Sequence, residues 1–317
     1  MRLVFRADAS PEMGTGHVMR SSAIAEEAMS RGIECIFVGD VHGLPWLEKR
    51  VNELGYSRCL PSTEIYQFLG HEAVLILDSY EIDPNSTWLD QDKWLALVSI
   101  SDEITPDYRA DLVVHPGLSG DWYKGDPSKF LFGTNFIPLR KSIRKSKRGL
   151  TYEIDKITVF GGGSDPYGFA PVIAAALTEI PNFKDAVIYS GLGDAISKMD
   201  SRYSVKSFGP TLDGDIESSD LVLTTASTSS LEVVARGIPV GIACAVGNQI
   251  EYFEALSNLG VAVKVGEKTK TGEWNIYTTE LFKLFNDKEL LKSLTQAGSD
   301  IISLNGAKNV IDVILKL

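Results

Sequence analysis

The chain has little sulfur, little histidine and a deficit of positive charge. Its three cysteines, Cys35, Cys59 and Cys244, form no CxxC pair and show no ligand-like spacing. An odd, sparse set of this kind excludes a disulfide framework and implies reduced thiols and a cytoplasmic setting. The four histidines, His17, His42, His71 and His115, fit no HExxH-type pattern, so no metal and no cofactor is expected. Lysine and arginine number 31 against 42 acidic residues, a formal net charge of −11, and only Lys141 to Arg148 makes a short basic run. That balance argues against a nucleic-acid partner; an anionic ligand would have to be held by local arginines and backbone amides. No apolar run approaches the roughly 18 residues of a membrane span. The opening MRLVFRADAS is too short and too charged for a signal peptide, so no integral membrane contact is expected. No glycine run leads into GK[ST], and no GxGxxG occurs, which excludes a Walker loop and a dinucleotide fingerprint. Internal repeats and low-complexity segments are also missing.

What is present is a 317-residue chain with 44% hydrophobic residues, enough for two domains. Short apolar runs that end on a polar residue alternate with helical stretches. The runs are Met1–Val4, Ile33–Gly39, Val74–Leu77 before Asp78, Leu95–Ile100 before Asp102, and Leu112–Val114 before His115. Ser21–Arg31 and Gly43–Gly55 read as helices between them. Such alternation predicts a parallel sheet with helices on both faces. Ligands sit beyond the carboxyl ends of the strands in such sheets, which would gather Asp8, Asp78, Asp102 and His115 at one rim. The basic stretch Leu139–Leu150 reads as a solvated linker, and the pattern then restarts. Strands are expected at Ile157–Phe160, Ala186–Tyr189, Leu221–Thr224 and Pro239–Ala243, and helices at Phe169–Ile180, Leu231–Arg236 and Ile250–Leu259. Two amphipathic helical stretches follow in Leu281–Leu317. The expectation is an α/β chain of two Rossmann-like parallel-sheet domains facing a deep cleft, residues 1–140 and 150–300, with 301–317 crossing back.

Three turns carry candidate chemistry. Phe5 to Arg20, FRADASPEMGTGHVMR, joins a strand to a helix and holds Arg6, Asp8, Gly14, Gly16, His17 and Arg20. The two glycines let backbone approach a bulky ligand. Unpaired N–H groups at the helix start favour an anion, and their partial positive charge keeps the His17 imidazole neutral, as a general base requires. A turn built only for packing has no need of both arginines and the histidine. The second turn, Gly161-Gly162-Gly163-Ser164-Asp165, offers backbone N–H groups and a hydroxyl to a diphosphate. The third, Thr224 to Ser230, puts seven small or hydroxyl residues in succession where capping needs one, with Glu232 a turn on to hold a ribose diol. Gly247-Asn248-Gln249 then opens another helix. Asp213-Gly214-Asp215 matches a DxD element in letters, but its place at a helix entry reads as a cap or turn.

The combination Arg6-x-Asp8, Gly14-x-Gly16-His17 and Arg20 resembles the amino-terminal signature of the PseG family of UDP-sugar hydrolases and its SpsG-like relatives, which are akin in fold to MurG-type glycosyltransferases. Gly247-Asn248-Gln249 likewise resembles the Asn-Gln turn of GT-B nucleotide-sugar binders. The resemblance implies a GT-B-like fold and hydrolysis of a UDP-linked acetamido-deoxy-sugar at its anomeric carbon, on the way to pseudaminic-type acids or surface polysaccharide. It implies His17 as the catalytic base and Tyr80, after Asp78, as a second catalytic residue. Asp8 either orients His17 or binds sugar hydroxyls or amides. Arg6 and Arg20 either hold those carboxylates or neutralise the departing diphosphate. Asp78 and His115 are placed with the sugar, Gly162 to Asp165 and Ser227, Thr228 and Ser229 with the phosphates, Glu232 with the ribose, and Asn248 and Gln249 with the nucleotide sugar. Leu231 stands where the family often has asparagine, and His115-Pro116-Gly117 replaces an Asn-rich element at the sugar pocket. A GT-B glycosyltransferase with a UDP-sugar donor and a non-catalytic nucleotide-sugar binder are the alternatives.

Overall fold

The computed structural model describes residues 1–70, 72–79, 82–102, 109–145 and 153–317. Tyr80, His71 and the end of the basic stretch, 146–150, lie outside the described residues. The chain forms two compact units, Met1–Ser142 with Ser303–Leu317, and Ile143–Ile302.

In the first unit β1 (Arg2–Ala7) leads into α1 (Gly16–Ser30), followed by β2 (Glu34–Val38), α2 (Pro45–Glu53), β3 (Arg58–Leu60), β4 (Ala73–Asp78), β5 (Ala96–Ile100), β6 (Leu112–Val114) and β7 (Phe130–Leu131). The sheet order is β3-β2-β1-β4-β5-β6-β7, and every pairing is parallel. Strands covered on both faces read as unbroken apolar runs, and β4, AVLILD, is buried at all its positions. The α1 helix starts at Gly16 rather than near Ser21, so His17, Arg20 and Ser21 share its first turns.

The second unit repeats the plan with β8 (Lys156–Phe160), α3 (Phe169–Leu177), β9 (Asp185–Tyr189), α4 (Gly193–Ser197), β10 (Tyr203–Lys206), α5 (Leu212–Ser218), β11 (Leu221–Thr225), α6 (Thr228–Ala235) and β12 (Val240–Cys244). Then come α7 (Ile250–Asn258), β13 (Val263–Lys268), β14 (Trp274–Ile276), α8 (Thr278–Asn286) and α9 (Lys288–Ile301). The order is β10-β9-β8-β11-β12-β13-β14, and only the β13–β14 hairpin is antiparallel. The last helix, α10 (Gly306–Ile314), returns to the first unit, where Val310, Ile311 and Ile314 join the core around Leu3, Phe5 and Ile24. Residues 278–314 thus hold three helices where two amphipathic stretches were expected.

Both sheets carry the doubly wound order, whose direction reverses beside the first strand of each unit. That reversal opens a crevice at the carboxyl ends of the two central strands. The switch points fall between β1 and β4 and between β8 and β11, and all three candidate turns follow one of these four strands.

Candidate active site

At the first switch point the β1–β4 register places Ala7 opposite Asp78. The loop after β1 closes through Gly14, whose N–H donates to the Ser10 carbonyl at 2.8 Å and whose φ of 84° suits glycine. Space is not the constraint there, since a Cβ on Gly14 would meet nothing within 4 Å. Thr15 caps α1 by position without a side-chain bond, and Gly16 begins the helix. The helix then turns His17, Arg20 and Ser21 to one side, as positions three and four apart must be.

All three converge on Asp78, which is wholly buried. His17 Nδ1 lies 2.6 Å from Asp78 Oδ1. Arg20 grips the same carboxylate twice, Nε donating to Oδ2 at 2.6 Å and Nη2 to Oδ1 at 2.7 Å, and Ser21 Oγ donates to Oδ2 at 3.4 Å. The third Arg20 nitrogen, Nη1, donates to Asp102 Oδ1 at 2.6 Å. A 2.6 Å approach of a ring nitrogen to a carboxylate oxygen requires a proton between them. Nδ1 therefore carries the hydrogen, and the Arg20 Nη2 that sits 3.1 Å away is drawn in by their shared oxygen. This tautomer puts the imidazole lone pair on Nε2, the arrangement of a carboxylate-oriented base. The His17 ring is nearly closed off, with the residue 4% exposed.

The carboxylate in contact with the His17 ring is Asp78. Both Asp78 oxygens are engaged by protein donors and the residue has no exposed surface. Asp8 is occupied elsewhere: Arg6 Nη1 stands 2.5 Å from Oδ1 in an ion pair poorly aligned for a hydrogen bond, the Asp40 N–H donates to Oδ1 at 2.9 Å, and Ser79 Oγ donates to Oδ2 at 3.2 Å. Arg20 holds carboxylates, Asp78 at the end of β4 and Asp102 beyond β5, one of the two roles expected for it. His115 has no exposed surface; its Nδ1–H donates to the Ser101 carbonyl at 2.9 Å and its ring packs edge-on to Trp122 at 5.2 Å. The Trp122–Tyr123–Phe130 cluster around it went unread in the sequence, although the Trp122-Tyr123 pair between two strands was its signal.

At the second switch point the glycine turn follows β8. Gly162 has a φ of 78°, and a Cβ on Gly161 would fall 1.9 Å from Asp165 Oδ1, so glycine is required at both. Asp165 caps α3 instead of facing outward: Oδ1 accepts from the Phe169 N–H at 2.8 Å and Oδ2 from the Ala170 N–H at 3.1 Å. Burial pushes its carboxyl up to about 6, against the pull of those two N–H groups and of Lys268. Gly162, Gly163 and Ser164 stay half-buried at the turn. The β13–β14 hairpin holds the loop's far end, with Trp274 Nε1 donating to the Tyr167 carbonyl at 3.1 Å and Lys268 Nζ at 3.4 Å.

After β11, Ser227 takes the cap position of α6. Its hydroxyl donates to the Thr225 carbonyl at 3.3 Å, while Ser230 Oγ accepts from the Ser227 N–H at 3.1 Å. Thr228, Ser229 and Glu232 are half-buried on the first turns of α6. Gln249 is turned inward, its Oε1 accepting from the Ala245 N–H at 2.8 Å, so it braces its own loop; Asn248 beside it is half-buried. Asp213 and Asp215 are spent on structure, Asp213 on Arg236 at 2.7 Å and Asp215 on Lys206 and the Tyr189 hydroxyl, both at 2.6 Å. Among the described residues no group of three His, Cys, Asp or Glu side chains is arranged to hold a metal ion, and no helix is long and apolar enough to cross a membrane.

No family model matches the sequence, and no curated protein matches it. The fold, by contrast, is widely shared. MurG of Acinetobacter baumannii superimposes with a TM-score of 0.66 at 14% identity, over 100% of both chains. Spinosyn rhamnosyltransferase SpnG complexed with thymidine diphosphate gives 0.64 at 13% identity, over 99% of this chain and 100% of that one. A putative UDP-N-acetylglucosamine 2-epimerase of Listeria monocytogenes gives 0.63 at 13%, over 99% and 96%. The architecture is that of a GT-B-like α/β protein with two Rossmann-like sheets.

Proposed function

We propose that this chain is a nucleotide-sugar enzyme that hydrolyses a UDP-linked acetamido-deoxy-sugar to UDP and the free sugar. The observation that carries this reading is the His17–Asp78 pair: an imidazole with its tautomer fixed by a buried carboxylate, at the switch point where α/β sheets bind ligands. That the fold is shared with a rhamnosyltransferase complexed with thymidine diphosphate and a UDP-N-acetylglucosamine 2-epimerase supports the substrate class.

UDP is a good leaving group, so the chemistry asks chiefly for an activated water. In this scheme His17 Nε2 takes a proton from the water as its oxygen bonds to the anomeric carbon. The bond from that carbon to the diphosphate oxygen breaks, and its electron pair leaves with UDP. Attack from the face opposite the diphosphate inverts the anomeric centre. Asp78 holds the ring in register and balances the imidazolium that forms. Backbone N–H groups at Gly162, Gly163 and Ser164, and at Thr228 and Ser229, are the donors for the phosphate charge, and Glu232 is the acceptor for the ribose diol. The scheme calls on no metal ion. Tyr80, two residues beyond Asp78, keeps the second catalytic role that the family resemblance implies.

A glycosyltransferase is the second reading, favoured by the glycosyltransferases among the structural neighbours. The same base would then deprotonate an acceptor hydroxyl. The test is UDP release from a panel of UDP-N-acetyl-sugars with and without acceptor alcohols. Acceptor-free release that is lost in His17→Ala supports the hydrolase. Release only with acceptor supports the transferase, and binding without release in either case defeats both.

A further inference from the structure

The turn after β8 holds a residue whose side chain folds back onto its own backbone. Asp165 stands in the left-handed region at a φ of 53°, the one non-glycine residue to do so among those described. Aspartate is one of the few side chains that tolerate this region. The carboxylate lies beneath the turn, where a Cβ on Gly161 would collide with Oδ1. Both oxygens cap α3, accepting from the Phe169 and Ala170 N–H groups at 2.8 and 3.1 Å. Those two amides are thus spent on the protein. The phosphates are left to the N–H groups of Gly162, Gly163 and Ser164, on the other arm of the turn.

A carboxylate beneath that turn and a diphosphate upon it are like charges held close. Consecutive Cα atoms lie about 3.8 Å apart, so the carboxylate stays within about 10 Å of any anion bonded to those amides. Burial already pushes the Asp165 carboxyl up to about 6. Among the described residues the charged side chain that acts on it is Lys268 from β13, while α3 and Gly161 present backbone only. Lys268 and the two capping N–H groups favour the ionised form, and burial outweighs them. A bound anion at this range disfavours ionisation further, by about 1 pH unit. With the turn loaded, the carboxyl titrates near neutral pH.

We propose that Asp165 is a positioning residue of the phosphate turn, and that its carboxylate takes up a proton when a nucleoside diphosphate settles on Gly162 to Ser164. The inference rests on the reading of that turn as the diphosphate site, but its test does not need turnover. The proton comes from solvent and goes to the Asp165 carboxylate; no bond of the ligand changes. The protonated group keeps acceptor capacity for the α3 amides, so the turn holds its shape while the repulsion is removed. At higher pH the ionised carboxylate opposes the diphosphate and weakens its hold. The site is therefore tuned to grip the nucleotide more tightly as pH falls.

The experiment is calorimetric titration of UDP into the full chain between about pH 5 and pH 8, in paired buffers of different ionisation enthalpy. The difference in heat gives the protons taken up per UDP bound. The outer phosphate of UDP titrates in the same range, so Asp165→Asn, verified as folded by circular dichroism, supplies the baseline. The expected excess of wild type over Asp165→Asn is about half a proton near pH 6.5, falling to about 0.1 at either end. Across the span the wild type should lose about eightfold in UDP affinity relative to the variant as pH rises. A merely structural cap would give equal uptake in the two proteins. UDP binding with equal uptake overturns the proposal and leaves the nucleotide-sugar reading standing. If Asp165→Asn does not fold, Lys268→Met decides: removal of that positive charge should move the uptake maximum to higher pH, and a maximum that stays or falls overturns the proposal. UDP that binds at no pH overturns both, so the two failures are distinguishable.

Discussion

Replacing Asp78 by asparagine perturbs the site at its best-defined point. The carboxylate accepts from His17 Nδ1, twice from Arg20 and from Ser21, with no surface left for water. Asparagine offers one acceptor oxygen and one amide. If the oxygen stays with His17, the amide hydrogens face the Arg20 donors. If the amide faces His17, it donates to Nδ1 and drives the ring proton to Nε2, where the lone pair is needed. Wrong-tautomer substitutions of this kind cost about 10⁴-fold in the serine-protease triad. A loss of about 10³–10⁴-fold is expected here, or about 4–5.5 kcal/mol of barrier. The fold also suffers, because removing one partner of a buried pair costs about 3–5 kcal/mol. The oxygen that asparagine keeps reduces this to about 2–3 kcal/mol. The assay is initial-rate UDP release at saturating donor, with urea unfolding in parallel. A folded Asp78→Asn protein that turns over within about threefold of wild type would refute the dyad, and one of unchanged stability would refute the buried network.

Other consequences are independent of the reaction. Asp165 titrates near 6 in the folded chain against about 3.9 in an unfolded one. The folded state therefore binds the extra proton between those values, and its stability rises as pH falls from about 6 to about 4. Relative to Asp165→Asn, the unfolding free energy of the wild type in urea should rise by about 1–2 kcal/mol on going from pH 7 to 4.5; a constant difference would contradict the buried cap. Gly162→Ala forces an alanine to a φ of 78° and should cost about 1–2 kcal/mol in thermal unfolding, with weaker UDP binding by calorimetry; unchanged values for both would count against that turn. Gly306→Ala would bring a Cβ within 1.8 Å of the Ile137 carbonyl oxygen, so at least about 2 kcal/mol should be lost as α10 lifts from the first unit. An unshifted melting curve would show that this packing yields freely.

The fold class was legible because the central strands are unbroken apolar runs that end on a polar residue, β4 into Asp78 most plainly. Elements of mixed polarity were not. β3 (RCL), β10 (YSVK) and the β13–β14 hairpin (VKVGEK, WNI) lie towards sheet edges and lack a run long enough to register. The start of α1 was misjudged because Gly-His-Val-Met-Arg is weakly helical by composition, and burial of His17, Arg20 and Ser21 against Asp78 overrides that preference. The site was legible in its residues more than in their pairing. Asp8 is close to His17 in sequence and Asp78 is 61 positions away. Only the parallel register of β1 with β4 decides that the distant carboxylate meets the ring. The same holds for Asp165 and Gln249, whose polar side chains invite a ligand on paper and instead cap or brace their own loops.

The account turns on His17 as a base, and chemical rescue tests it most directly. His17→Ala opens a cavity the size of an imidazole beside Asp78. UDP release from a responsive donor should fall about 10²–10⁴-fold in this variant, and added imidazole should restore it in proportion to the free-base concentration. Release that persists within a few-fold of wild type without imidazole would contradict the account.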